Sequence, residues 1–209
     1  MSIDRRSLFV AGLGATVAGV GIARSAMAQA PAMNGVGPGT HPYHPGPDAE
    51  PFHQEEIVRA ASGFFGVAAQ TISSVIEKAF KDNGMPTGYI AGTEVSGAVV
   101  VGLRYGKGEL YMKHHKRERV FWQGPSAGFD FGGNASRVFT LCYGIQEPTQ
   151  IFHRFPGVEG SIYFVGGFGV NYQRADDITL APIRAGVGGR AGANVGYLDY
   201  SRTRHISPF

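Results

Sequence analysis

The stretch Gly124-Pro125-Ser126-Ala127-Gly128 has the spacing of a nucleophile elbow, in which a sharp turn between a strand and a helix presents a serine hydroxyl. The next residues, Phe129-Asp130-Phe131-Gly132-Gly133, read as strand and turn, so the helix that such an elbow needs is missing. Gly186 to Gly192, GVGGRAG, suggests a phosphate loop but lacks the terminal Lys-Ser/Thr and a following helix N-terminus. The acids form no evident catalytic pair. Asp176 and Asp177 are adjacent in a turn, and neighbouring residues of an extended chain face opposite ways. Asp130, between two aromatics, reads as an inward structural acid rather than a catalyst. Cys142, the only cysteine, lies in an apolar run and reads as a small core residue, and a single cysteine excludes an internal disulfide and cysteine-rich metal sites. His41, His44 and His53 fall in or beside a proline-rich tract that offers a metal no fixed geometry. His153 beside Arg154 suits a structural hydrogen bond better than catalysis. The expectation is therefore a protein that is not an enzyme, with no cofactor and no metal. The polar and aromatic residues left for a ligand or partner surface are Trp122, Arg154, Phe155, Arg174 and Arg184. For Trp122, the only tryptophan, core packing and the lining of a ligand mouth both remain open.

The elements that position these residues begin with an address. Arg5 and Arg6 precede a glycine-diluted apolar stretch, Leu8 to Ala23, and Ala26-Met27-Ala28 has the small-x-small pattern of a cleavage site. Residues 1–28 thus read as an export signal cleaved after Ala28, with a twin-arginine character. An ordinary secretory signal that happens to carry two arginines is the alternative. Either route implies the periplasm. Losing Asp4, Arg5, Arg6 and Arg24 with the signal lowers the net charge from +3 to +1, which removes compositional support for nucleic-acid binding. Beyond the signal no apolar run is long enough to span a membrane as a helix. Lys113 to Arg119 is the one basic cluster and reads as a solvated hairpin loop, with an anionic-lipid patch as the alternative.

Residues 29–52 carry Pro31, Pro38, Pro42, Pro45, Pro47 and Pro51 and read as an extended linker before a domain over 53–209. Across 54–83, apolar residues recur at three- and four-residue steps, from Ile57 to Phe80, which predicts an amphipathic helix that Gly63 and Gly66 bend or divide. From residue 87 the chain turns to strand-like runs, near 87–94, 97–105, 108–113, 118–123, 127–132, 137–143, 161–172, 177–183 and 186–201, with a short helical turn near Glu147 to Phe152. Their many internal glycines fit a small closed barrel, where strands bend sharply and approach closely.

Several of these stretches together resemble the EipA family of bacterial periplasmic envelope-integrity proteins. The resemblance rests on Phe121-Trp122-Gln123-Gly124-Pro125-Ser126, Arg154 to Ser161, Gly169-Val170-Asn171-Tyr172-Gln173-Arg174, Leu180 to Gly188 and Gly192 to Leu198. It implies a mainly β protein, a small β-barrel of about eight strands preceded by the amphipathic helix. It also implies a role in envelope integrity, with envelope components (cell wall, lipid or envelope proteins) as partners, and it transfers no catalytic residue. The ending departs from the family pattern at His205-Ile206, where an aromatic is expected. Shorter motifs, Tyr105-Gly106-Lys107-Gly108 and the Gly-Pro-Ser after Trp122, are similar to the SYLF lipid-binding domain and imply lipid contact as an alternative role.

Overall fold

The computed structural model describes residues 49–130, 135–185 and 196–204. The expected export signal with Arg5, Arg6 and Ala28, most of the expected linker with His41 and His44, and the glycine-rich stretch from Gly186 lie outside the described residues, as do the side chains of Ser126 and Asp130.

Two helices lead the described chain, α1 (Gln54–Phe65) and α2 (Ala69–Asn83). The apolar periodicity runs through both, but Gly66 ends α1 in left-handed backbone (φ 69°) with its N–H on the Ser62 carbonyl. A side chain is disfavoured there, so the division is made at this glycine. At the other end of α1 the Glu56 carboxylate accepts the His53 N–H at 2.7 Å, and Glu55 and Glu56 lie in the first turn, where the helix dipole favours them.

The described residues then form nine strands: β1 (Gly88–Met112), β2 (Glu118–Asp130), β3 (Ser136–Tyr143), β4 (Arg154–Pro156), β5 (Tyr163–Val165), β6 (Phe168–Val170), β7 (Gln173–Ala175), β8 (Ile178–Ala185) and β9 (Tyr197–Ser201). A 3-10 turn, Pro148–Ile151, precedes β4, at the place where the sequence predicts a short helical turn. The sheet order is β4-β9-β2-β1-β3-β8-β6-β5, with β7 also on β8, and the named pairs are antiparallel. The sheet curls until Gly157, just after β4, bridges Gln173 of β7. The result is mainly β and barrel-like.

The three strand-like runs between 87 and 113 are one bent strand. Residues 88–94 of β1 pair with β3, and residues 98–110 pair with β2. The two halves meet where glycine removes the side chain. A Cβ on Gly92 would stand 2.8 Å from the Gly108 Cα and 2.6 Å from Cη2 of Trp122, closer than real Cβ atoms come.

Strand alternation then sorts the side chains into two cores. Inside the curl lie Ile90, Leu110, Val120, Trp122, Val138, Cys142, Leu180, Leu198 and Tyr200, with Ile151 from the 3-10 turn and Phe155. On the outside of β3, β6 and β8, Phe139, Leu141, Tyr143, Phe168, Val170, Ala181 and Ile183 pack under Ile57, Ala61, Phe65, Ile72, Val75, Ile76 and Ala79 of the helices. Sandwiched between these cores, β3 is buried from Val138 through Tyr143 and shows no polar alternation. Polar ties hold the helices in place. Arg137 Nη1 donates to the Phe64 carbonyl at 2.8 Å, Tyr143 Oη to the Ala79 carbonyl at 3.2 Å, and Tyr172 Oη to Asp82 Oδ2 at 2.7 Å. Among the described residues no helix is long and apolar enough to cross a membrane.

Candidate functional site

Among the described residues alternation places one buried acid inside the curl. Glu94 of β1 is only 2% exposed. Its carboxylate accepts Trp122 Nε1–H at 2.8 Å and Arg184 Nε–H and Nη2–H at 2.9 and 3.3 Å, and it lies 3.1 Å from Arg104 Nε. Arg184 Nη1 reaches on to Asn171 Oδ1 at 2.7 Å. An isolated carboxylate in such a place costs several kcal/mol, roughly, and persists only when paired and hydrogen-bonded. Burial pushes the Glu94 carboxyl upward, but Arg184 and Arg104 outweigh it and hold the carboxyl below its ordinary value. Burial pushes the Tyr200 phenol, in the same core, well up. The arrangement is a poor proton-transfer site. A carboxylate held ionised by two guanidinium groups is a weak base and carries no proton near neutral pH. It is a clamp between β1, β2 and β8.

On the opposite surface of these strands lies an open cleft of about 770 Å³. Its walls are the alternate residues of β1 and β2, Thr93, Val95, Tyr105, Lys107 and Glu109 with Arg119, Phe121 and Gln123, and Ser201 of β9 and Arg204 complete them. Trp122 and Gly106 also line the cleft. The strand register places Lys107 opposite Phe121 and Phe121 opposite Ser201. Among the described residues Lys107, Arg119 and Arg204 make no side-chain ion pair or hydrogen bond. The one acid, Glu109, is engaged: it accepts Tyr111 Oη–H at 2.9 Å and stands 3.9 Å from Arg117 Nη1. The lining therefore carries an excess of positive charge beside aromatic rings.

The five residues expected to form a ligand or partner surface do not come together as one. Trp122 and Arg184 meet through Glu94, and Trp122 alone of the five lines the cleft. Phe155 is fully buried, edge-on to Tyr200 at 5.6 Å. Arg154 is exposed and stacks over Tyr197 at 4.0 Å, and Arg174, also exposed, donates to Thr179 Oγ1 at 3.0 Å. The reason is parity: Trp122 and Arg184 occupy inward positions of their strands, which sequence adjacency to polar residues conceals. Sequence reasoning does not single out Glu94 or Arg104 for a site, and it places Lys107 and Arg119 only in the alternative lipid-contact readings of the Tyr105 to Gly108 motif and the basic run. An acid in the otherwise apolar alternation around Ile90 and Gly92 was the available signal for Glu94.

The remaining candidates have local roles. Ser126 lies within β2, with strand on both sides, so an elbow does not form. Cys142 is buried, and burial pushes its thiol far up. The His153 ring lies 4.1 Å from that of Phe155, tilted by 39°. Residues 113–117 of the basic run form the β1–β2 turn, where Lys113 Nζ binds Glu50 and Glu56 at 2.9 and 3.0 Å and His114 Nε2 lies 2.7 Å from Glu50, whereas Arg119 stands in β2 on the cleft wall and not in a loop. His115, Lys116 and Arg117 are exposed, as a solvated loop requires. Among the described residues no cluster of His, Cys, Asp or Glu could hold a metal.

Residues 50–209 match a family model described as Envelope integrity protein A. Among solved structures the chain is similar to a beta-barrel-like, uncharacterized protein from Brucella abortus, with 45% identity, a TM-score of 0.69, and 76% of this chain and 99% of that chain covered. No curated protein matches.

Proposed function

The chain belongs to the envelope integrity protein A (EipA) family, and on that premise we propose that it is a non-enzymatic periplasmic protein that supports the cell envelope by holding an envelope component in its surface cleft. The periplasmic address rests on the Arg5-Arg6 signal and its Ala28 cleavage site. The observation that carries the reading is the contrast between the two polar sites. The interior arginines, Arg184 and Arg104, are both paired with Glu94, whereas Lys107, Arg119 and Arg204 of the cleft have no side-chain partner among the described residues. Unpaired surface cations are free to complement an anionic partner. Deleting the protein should raise sensitivity to detergent and to cell-wall antibiotics, and the full chain should restore resistance. Unchanged sensitivity would remove the proposal.

A second reading, an amphiphile-binding protein, is favoured by Val95, an apolar residue at the cleft that is 45% exposed. Against a lipid carrier stands the interior, which among the described residues is filled by packed side chains. Native mass spectrometry of protein taken from its own periplasm separates the readings. A mass excess that ionises as lipid supports the second.

A further inference from the structure

We infer that the cleft over β1, β2 and β9 binds an acidic saccharide chain, a sugar polymer bearing carboxylate or phosphate groups. The inference rests on the envelope role proposed above and names the chemistry of its ligand. Neighbouring strands stand about 4.8 Å apart, so residues in register form a row across the sheet. Here the row is Lys107, Phe121 and Ser201, a cation, an aromatic ring and a hydroxyl, spanning about 10 Å at that spacing. That is the width of a sugar unit or two. It offers an apolar face for the ring carbons, a hydroxyl partner and a charge partner in sequence. Tyr105 adds a second ring on the same wall.

Charge selects the acidic member of this class. Lys107, Arg119 and Arg204 have no partner among the described residues, while Glu109 is held by Tyr111 and Arg117. The volume, about 770 Å³, suits several sugar units in an open trough. A lipid is the weaker fit. An acyl chain needs an apolar channel, and the packed interior behind Trp122 provides none among the described residues.

Trp122 is the only tryptophan in the chain and stands at the floor of the cleft, 3% exposed, so its fluorescence serves as a reporter beside calorimetry. The export-processed protein is titrated with trigalacturonate, with neutral maltotriose, and with phosphatidylglycerol vesicles, followed by fluorescence and calorimetry. Trigalacturonate should bind, more weakly as salt rises, and maltotriose should bind at least about tenfold less tightly. The double variant Lys107→Glu/Arg119→Glu should lose about tenfold or more in affinity while keeping its melting temperature, since both side chains are exposed. If that variant misfolds, Lys107→Gln/Arg119→Gln carries the same test. No binding of trigalacturonate at millimolar concentration, equal affinity in the double variant, or binding to the vesicles alone would each overturn the inference. A deletion phenotype without saccharide binding keeps the envelope role and sinks the ligand. Binding without a deletion phenotype does the reverse.

Discussion

Replacing Glu94 by Gln tests whether the interior ion cluster holds the strands together. The amide keeps the size of the side chain but removes the charge that faces Arg184 at 2.9 Å and Arg104 at 3.1 Å. It also turns one acceptor oxygen into a donor directed at donors. Both arginine side chains are nearly buried, 11% and 12% exposed, so water does little to compensate. Removing one partner of a buried pair costs about 3–5 kcal/mol. For a domain of this size each kcal/mol moves the melting temperature by about 2–4 °C, so a drop of about 6–20 °C is expected. Chemical denaturation with an unchanged slope should give the same loss. The pH dependence supplies a second reading. The folded carboxyl is held below its ordinary value, so its contribution is full above the unfolded value of about 4.3 and fades as pH falls through the folded one. The gap between wild type and Glu94→Gln should therefore be widest near neutral pH and shrink in acid below about pH 4. A loss under about 1 kcal/mol, the scale of an exposed pair, or a gap that does not change with pH, would refute the clamp.

Gly106→Ala should destabilise by about 1–3 kcal/mol or more in denaturant melts, because its new methyl group would fall on the indole of Trp122. Native Cys142 should resist a thiol reagent such as DTNB and react only as the protein unfolds, since the side chain is buried and burial disfavours the thiolate; rapid native labelling would contradict the packing. Tyr172→Phe removes the 2.7 Å hydrogen bond to Asp82 that ties the segment after β6 to α2, and should cost about 1 kcal/mol by denaturation.

The helices were legible because an apolar stripe at three- and four-residue steps survives whatever it packs against, and Gly66 marked the place where it breaks. The three-residue strands β4 to β7 were not, because three residues are too few to show alternation, and β5 and β6 hid inside one run joined by Gly166-Gly167. The sequence divides β1 into three runs, whereas Gly92 and Gly108 allow one strand to fold against itself. The role of Arg184 was hidden for another reason: its partner Glu94 lies 90 residues away and comes near only when the sheet curls. The cleft has the same origin. Lys107, Phe121 and Ser201 are scattered in the chain and become a row through register alone.

In the function proposed above, the cleft acts in the envelope through its cations. A deletion strain complemented with the Lys107→Glu/Arg119→Glu chain tests it most directly, with survival in detergent and cell-wall antibiotics as the readout. The wild-type chain should restore resistance, and the variant, present at the same level and with the same melting temperature, should not. Full rescue by the variant would contradict the account.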